Sequence, residues 1–414
     1  MSSPLPPPPA TPARPPYVPR RPSTVSPLAE QPGSTDPADG TATGAHPYDD
    51  PAHAPRHTPR ATSEPDRAPV LTVSGLDVTI GGAVPAVRDV SFALGRGEAV
   101  GLVGESGSGK SLTCRSVLGV LPPGIAVSAG RITLADPEGG ASAELTALTR
   151  PQWDAVRGRR IGAVFQDPAS YLNPSLTVGR QLAEQLRVGR GLSRTEAHDR
   201  AVALFTAVGL HRPAELYHHY PHELSGGMLQ RVLIAIAVSC DPELLIADEA
   251  TTALDVVVQA EILELLQDLR ESRGLTLLLV THDLAVVAEN CDRVIVMYAG
   301  EIVEDGPTAE VLAAPAHPYT ETLLKVAAIG DRDRWEPAVI PGRPPETGAA
   351  LPGCRFAERC AYATAECTAA PVALRSVGEG RRARCLRPAG PPARDLPTRS
   401  VAVARTTATE GATV

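Results

Sequence analysis

The sequence predicts an α/β fold built around a parallel sheet, and three observations support this prediction. Short apolar runs at Ala99–Val103, Leu244–Ala247 and Thr276–Val280 have the length and composition of buried strands. Amphipathic helical patterns alternate with these strands, as in parallel α/β architectures. The chain has 414 residues and is 43% hydrophobic, which is enough for a buried core in one or two domains.

Composition divides the chain into four parts. Residues 1–69 contain 19 of the 42 prolines, and we expect a disordered extension there because such a segment buries too little apolar surface to offset chain entropy. Residues 70–315 carry the α/β pattern, with a mostly helical insert at about 167–234. Residues 316–390 are proline-rich and contain four cysteines, and residues 391–414 are again predicted to be disordered.

Two helices have recognisable ends. Ser193 and Glu196 form an S-x-x-E capping box that starts a helix running towards Gly209. Asp255 is a good N-cap for a second helix that carries an apolar stripe and stops near Gly274.

Charge and hydropathy exclude several functions. The net charge of −8 argues against nonspecific nucleic-acid binding, which needs basic surface to displace counterions. No apolar run approaches the roughly 20 residues that span a bilayer, and no signal peptide is expected at the N-terminus. Any association with a membrane is therefore expected to come through a partner.

A glycine-rich loop after the first predicted strand matches the phosphate-binding pattern G-x-x-x-x-G-K-[ST]. We expect its backbone N–H groups and the following helix to bind phosphate, with Lys110 on the β- and γ-phosphates and the Ser111 hydroxyl on Mg²⁺. The alternative is an ordinary Gly/Ser-rich turn, which the strand–loop–helix context disfavours. The loop residues are Gly104, Glu105, Ser106, Gly107, Ser108, Gly109, Lys110 and Ser111.

Two carboxylates follow the strand that begins at Leu244. Asp248 is suited to hold the Mg²⁺ shell, as the acidic strand end of nucleotide hydrolases does. Glu249 is suited to orient and polarise the attacking water. Acidic strand ends are common, so this prediction depends on its pairing with the phosphate loop.

The segment Leu224–Arg231 resembles the LSGGQ-type signature of ABC ATPases. Ser225, Gly226 and Gly227 begin a helix whose N-terminus favours an anion. Without the other motifs this pattern would equally suit a plain helix cap. The resemblance implies a RecA-like core with an antiparallel β subdomain, and two ATP molecules held between two subunits, each signature contacting the γ-phosphate on the other subunit.

Further motifs of this family follow in register. Gln166 matches the Q-loop glutamine that senses Mg²⁺ and touches the membrane subunit, Asp255 lies in the D-loop, and His282 matches the switch histidine near the γ-phosphate. The resemblance thus implies catalytic roles for Glu249, His282, Gln166 and Lys110. Ile80 stands where the family usually places an adenine-stacking aromatic residue, so we expect weaker nucleotide affinity.

Other motifs resemble the oligopeptide/dipeptide importer branch, above all the sequence His317-Pro318-Tyr319-Thr320. The resemblance implies an ATP-hydrolysing subunit that powers uptake of oligopeptides or dipeptides from the cytoplasmic face of the cell membrane. Its implied partners are two transmembrane permease subunits, a second ABC ATPase subunit (a paralogue or another copy) and, indirectly, an extracellular solute-binding protein. Import of nickel or another small solute, and a cytosolic non-transport role, stay open as alternatives.

Four cysteines lie within 32 residues, at Cys354, Cys360, Cys367 and Cys385. Cytosolic chains rarely keep structural disulfides, so the spacing indicates four thiolates for Zn or an iron–sulfur cluster, or else free thiols. Some relatives of the oligopeptide branch carry a [4Fe–4S] cluster on this tail, and the resemblance favours that assignment. We expect such a cluster to organise the tail rather than to take part in hydrolysis.

Overall fold

Two β-sheets organise the chain in the computed structural model, which describes residues 69–137, 139–250, 255–328 and 340–387. The predicted N-terminal extension, except Pro69, and the predicted tail from residue 391 lie outside the described residues. The strands are β1 (Pro69–Ile80), β2 (Val84–Gly95), β3 (Ala99–Val103), β4 (Ile125–Leu134), β5 (Ala143–Glu144), β6 (Ile161–Phe165), β7 (Leu244–Asp248), β8 (Thr276–Thr281), β9 (Arg293–Tyr298), β10 (Glu301–Pro307), β11 (Arg375–Gly378) and β12 (Arg381–Ala383).

Helices connect the strands and fill one long insertion. They are α1 (Lys110–Leu118), α2 (Arg150–Trp153), α3 (Pro168–Tyr171), α4 (Val178–Arg190), α5 (Arg194–Ala207), α6 (Pro213–Leu216), α7 (Gly226–Ala237), α8 (Val256–Arg273), α9 (Leu284–Asn290), α10 (Thr308–Ala313), α11 (Pro318–Ala328) and α12 (Ala365–Ala369). Short 3₁₀ turns occur at Leu145–Ala147, Pro221–Glu223 and Ala357–Arg359. In the described part of the chain, no helix is both long and apolar enough to cross a bilayer.

The larger sheet has the order β11-β12-β10-β9-β3-β8-β7-β6. Strands β9, β3, β8, β7 and β6 run parallel, and the remaining pairs are antiparallel. Every residue of β3, β7 and β8 is buried, which explains their continuous apolar runs, because both faces of a parallel sheet are covered. The α/β prediction is confirmed, and the predicted strands β7 and β8 are each one residue longer than expected.

The smaller sheet is antiparallel, with the order β2-β1-β4-β5, and confirms the predicted antiparallel subdomain. The two faces of β3 join different cores because side chains alternate along a strand. Val100 and Leu102 pack in the core shared with the smaller sheet. Ala99 and Val103 pack in the core that contains the helical insertion.

Helices α3 to α7 lie between β6 and β7, in the segment predicted to be helical, although the bounds of this subdomain stay a prediction. The capping box is confirmed, since Ser193 N–H donates to Glu196 Oε2 at 2.9 Å and Glu196 N–H donates to Ser193 Oγ at 3.3 Å. Asp255 caps α8, and Gly274 ends it with a φ of 64°. Both helix ends therefore follow from local sequence.

The last described segment, residues 340–387, is called the C-terminal segment below. Its strand β12 pairs with β10, where Glu304 lies opposite Ala383 and Asp305 opposite Arg382. Both carboxylates are buried, and they form ion pairs with Arg381 and Arg382 respectively. The C-terminal segment is thus an edge of the same sheet rather than a separate tail.

Candidate nucleotide site

Four neighbouring parallel strands end at one edge of the larger sheet, and predicted site residues follow each of them. In the strand register, Val103 of β3 lies opposite Thr281 of β8. Asp248 of β7 lies opposite both Val280 of β8 and Phe165 of β6. The register therefore brings the phosphate loop, Asp248, Glu249, His282 and Gln166 to a common edge, where ligands of parallel α/β sheets bind.

The phosphate loop, Gly104–Ser111, needs glycine for conformation and for space. Gly104 has a φ of 151°, and a Cβ added there would lie 2.1 Å from the Met297 carbonyl oxygen of β9. Gly109 has a φ of 102° and is the N-cap of α1. The loop thus packs closely against β9 and leads directly into the N-terminus of α1, where anions are stabilised.

Lys110 is almost completely buried and turned towards its own loop. Its Nζ donates to the carbonyl oxygens of Gly104 at 2.7 Å and Glu105 at 3.0 Å. Burial lowers the pKa of Lys110, while the carboxylates of Glu249 and Asp248 oppose that shift. The ammonium group is therefore held where an incoming phosphate can replace the carbonyl oxygens as its partner.

Ser111 and Asp248 form a pair of oxygen ligands suited to Mg²⁺. The Ser111 hydroxyl donates to Asp248 Oδ1 at 3.1 Å. Neighbouring ligands of an octahedral Mg²⁺ lie about 2.9 Å apart, given metal–oxygen bonds of about 2.0–2.1 Å. Burial raises the pKa of Asp248, and the hydrogen bond from Ser111 opposes this. The pair fits two adjacent positions around this ion.

Glu249 stands on an unusual backbone conformation. Its φ is 50°, which L-residues rarely adopt, and its N–H donates to the Val280 carbonyl oxygen at 3.0 Å. The bond to β8 fixes the backbone, and the carboxylate lies close enough to Lys110 to act on its pKa. His282 and Gln166 are exposed, directly after β8 and β6. Exposure leaves both side chains accessible to a ligand at this edge.

The segment Leu224–Arg231, called the signature segment below, begins α7. Ser225 is the N-cap, and its hydroxyl accepts the Met228 N–H at 3.4 Å. A Cβ at Gly227 would lie 2.8 Å from a methyl group of Val258, so glycine is needed for α7 to approach α8. Within the described residues, no hydrogen bond joins Ser225 to the phosphate loop of the same chain.

The Asp255 carboxylate accepts hydrogen bonds from the N–H groups of Val257 at 3.1 Å and Val258 at 3.0 Å. The side chain therefore caps the N-terminus of α8. Its predicted role in a D-loop stays a prediction. Residues 251–254, which complete that motif, lie outside the described residues. Ile80 is 38% exposed at the end of β1, where an aromatic side chain would have room to stack on a base.

Cys354, Cys360, Cys367 and Cys385 all line one cavity of about 210 Å³ in the C-terminal segment. Burial raises the pKa of Cys354 to about 11 and also raises the pKa of Cys360 and Cys385, whereas hydrogen bonds with Thr364 lower the pKa of Cys367. In the described ranges, no three His, Cys, Asp or Glu side chains come together in a group that could hold a metal ion. The described residues thus give the four thiols a shared cavity but no ready metal-binding group.

Sequence reasoning missed two residues that touch the phosphate loop. The Tyr319 hydroxyl accepts the Glu105 N–H at 2.8 Å, and the Arg359 guanidinium forms an ion pair with the Glu105 carboxylate at 2.7 Å. Tyr319 was visible only as part of a subfamily motif, and Arg359 only as the residue before Cys360. Neither residue carries a local signal that points to a loop more than 200 positions earlier.

Comparison with known proteins agrees with this geometry. A family model described as ABC transporter matches residues 87–252, and one described as the C-terminal region of oligopeptide/dipeptide transporters matches residues 303–367. A relative from Brucella melitensis biotype 1 is 46% identical over 321 residues, covering 77% of this chain and 95% of the relative. A relative from Brucella ovis is 46% identical over 331 residues, covering 78% and 98% respectively. Both are provisionally named peptide import ATP-binding proteins.

Solved structures give the same picture for the core. Two structures of the ATP-binding cassette MJ0796 are each 28% identical to this chain with a TM-score of 0.50, covering 57% of this chain and 98% of theirs. One is a dimer in a post-hydrolysis state bound to ADP and Pi, and the other is described as a dimeric bacterial ABC transporter cassette.

Proposed function

Since this chain belongs to the ABC transporter family of ATPases, we propose that it is the ATP-hydrolysing subunit of an importer for oligopeptides or dipeptides. The matched C-terminal region of oligopeptide/dipeptide transporters and the names of the Brucella relatives support this solute class. The observation that carries the proposal for hydrolysis is the hydrogen-bonded pair of Ser111 and Asp248 beside the buried Lys110.

ATP binds along the phosphate loop, with its phosphates on the loop N–H groups and the N-terminus of α1. Lys110 exchanges its bonds to the Gly104 and Glu105 carbonyl oxygens for the β- and γ-phosphates. Ser111, Asp248 and Gln166 would hold Mg²⁺, which when bound neutralises phosphate charge. Gly104, Ser106, Gly107, Ser108 and Gly109 complete the binding loop.

Glu249 orients the attacking water, and His282 stabilises charge on the γ-phosphate. Catalysis of this kind consists of positioning and charge neutralisation, with little covalent work for the protein. The φ of 50° at Glu249 supports the assignment, because strained backbone is retained mainly where function needs it.

The sites are completed between two ATPase subunits. Ser225, Gly226 and Gly227 of one subunit face the γ-phosphate bound to the other, and Asp255 lies in the D-loop at the same interface. The dimeric MJ0796 structures support this arrangement. The second subunit is either another copy of this chain or a paralogue.

The ATPase pair works as a peripheral assembly on the cytoplasmic face of the cell membrane. It drives two transmembrane permease subunits. The region around the exposed Gln166 transmits closure of the ATPase pair to these subunits. An extracellular solute-binding protein delivers the peptide, and nucleic acid is not a partner.

We further propose that the four thiols of the C-terminal segment would hold a [4Fe–4S] cluster. The four cysteines line one cavity, which supports a shared set of ligands. Such a cluster takes one thiolate on each of its four irons, which matches the number of cysteines at this cavity. Cys354, Cys360, Cys367 and Cys385 would bind it as thiolates.

Transport with purified components tests the function. We expect vesicles that contain this chain, its permeases and its solute-binding protein to hydrolyse ATP faster when a peptide is supplied. Glu249→Gln is expected to lower turnover about 10²–10⁴-fold, as loss of a general base does, while ATP still binds. Glu264→Gln is the matched control, since Glu264 lies exposed on α8. Near-normal turnover of Glu249→Gln, or stimulation by nickel but not by peptides, would contradict the proposal.

A further inference from the structure

We infer that Arg359 and Tyr319 are positioning residues that hold the phosphate loop in its ATP-binding shape. Arg359 belongs to the C-terminal segment and Tyr319 to α11, so this assigns a role in nucleotide binding to parts of the chain outside the ATPase motifs. The inference rests on the proposed function, in which residues 104–111 bind ATP.

The contact between Arg359 and Glu105 is bidentate. Arg359 Nη1 donates to Glu105 Oε2 at 2.7 Å, and Nη2 donates to Oε1 at 3.0 Å. The Arg359 side chain is only 4% exposed and that of Glu105 is 26% exposed. This ion pair is bidentate and mostly shielded from water. It therefore fixes the geometry of both side chains, which an exposed surface ion pair does not.

Every N–H of the Arg359 guanidinium has an acceptor. Two bonds go to Glu105, and the others go to the Tyr298 hydroxyl at 3.2 Å, the Ile340 carbonyl at 3.1 Å and the Pro341 carbonyl at 2.8 Å. A guanidinium has five such donors, so the group is fully satisfied in one orientation. It is therefore a rigid anchor for the loop.

Glu105 connects this anchor to Lys110. Its carboxylate binds Arg359, its N–H donates to the Tyr319 hydroxyl at 2.8 Å, and its carbonyl accepts from Lys110 Nζ at 3.0 Å. Tyr319 is fully buried. The neighbouring glycines allow the loop many conformations. The bonds from Arg359 and Tyr319, which lie outside the loop, select one of them.

Charge gives Arg359 a second effect. A carboxylate in a loop that binds phosphates repels them, and the guanidinium neutralises it at bonding distance. Removing Arg359 should thus both free the loop and expose the nucleotide to the Glu105 charge. Removing the carboxylate as well should relieve the repulsion, which distinguishes the effect of the unpaired Glu105 charge from a general contribution to folding.

The experiment measures ATP affinity by equilibrium binding, together with KM and kcat, on the full chain. Arg359→Gln is expected to raise Kd and KM for ATP about tenfold, within the range of couplings between linked sites, with kcat reduced less than KM is raised. Arg359→Lys should recover part of the affinity by restoring the charge, and Tyr319→Phe should weaken binding less than Arg359→Gln does. Combining Arg359→Gln with Glu105→Gln should bind ATP more tightly than Arg359→Gln alone.

Arg343→Gln is the control, because Arg343 is an exposed arginine of the same segment. Unchanged Kd in a folded Arg359→Gln, or a double variant that binds ATP no more tightly than Arg359→Gln alone, would overturn the inference. If Arg359→Gln does not fold, Arg359→Lys and Tyr319→Phe decide, and wild-type affinity in both would overturn it. Failure of the wild type to bind ATP, or normal binding by Lys110→Ala, would instead contradict the proposed function.

Discussion

Replacing Gly104 and Gly107 separately by alanine tests how closely the phosphate loop is packed. Both glycines have positive φ, 151° and 80°, so each substitution carries backbone strain of about 1–2 kcal/mol. Their surroundings differ. A Cβ at Gly104 would lie 2.1 Å from the Met297 carbonyl oxygen and 2.8 Å from Ser108 Oγ, whereas a Cβ at Gly107 meets nothing within 4 Å.

The Met297 oxygen belongs to β9, which pairs with β3, so the clash cannot be relieved by one side chain turning away. Overpacking of this kind costs about 1–3 kcal/mol more. We expect Gly104→Ala to lower the free energy of unfolding by about 2–5 kcal/mol and Gly107→Ala by about 1–2 kcal/mol. Urea denaturation without nucleotide measures both, from the midpoint and the slope. Equal losses in the two variants would refute the packing argument.

Two further predictions concern the subunit interface and the thiols. In a mixed dimer, one copy carries Ser225→Arg and the other copy is unchanged. We expect loss of activity at the site that contains the Lys110 of the unchanged copy. Loss only at the site that contains the Lys110 of the altered copy would contradict the shared-site arrangement. Protein purified without oxygen should be brown, with about four irons per chain, and replacing Cys354, Cys360, Cys367 or Cys385 by serine should lose that iron. Colourless protein with stoichiometric zinc would refute the assignment of iron but would still support the four cysteines as metal ligands. Metal-free protein would refute both the iron and the role of the cysteines as ligands.

Much of the fold was predictable because its signals are local. Strand β3 matched its prediction residue for residue, since continuous apolar runs of this length are typical of buried parallel strands. The capping box at Ser193 and the cap at Asp255 involve residues no more than three positions apart. The sequence also predicts Ser111 and Asp248 as Mg²⁺ ligands, which stays a prediction, and the structure places the two side chains in a hydrogen bond.

The contacts that were not predicted join distant parts of the chain. Nothing near Arg359 indicates that it would bind Glu105, because the contact depends on β12 bringing the C-terminal segment onto β10. The proline-rich composition gives no local sign of a strand, yet β12 of this segment pairs with β10 of the main sheet. The left-handed backbone at Glu249 was likewise hidden, since a glutamate carries no sequence signal for positive φ.

The pairing of β12 with β10 has a consequence for synthesis. Strand β10 is complete at residue 307, but β12 begins only at residue 381, a gap of several seconds at about 5–20 residues per second on the ribosome. During that time β10 is an open sheet edge, to which another chain could attach. Glu304 and Asp305 place two charges on that edge, which disfavours such attachment. The same carboxylates form ion pairs with Arg381 and Arg382 once β12 covers the edge. We therefore expect them to disfavour attachment to the nascent chain first and to stabilise the pairing of β12 afterwards.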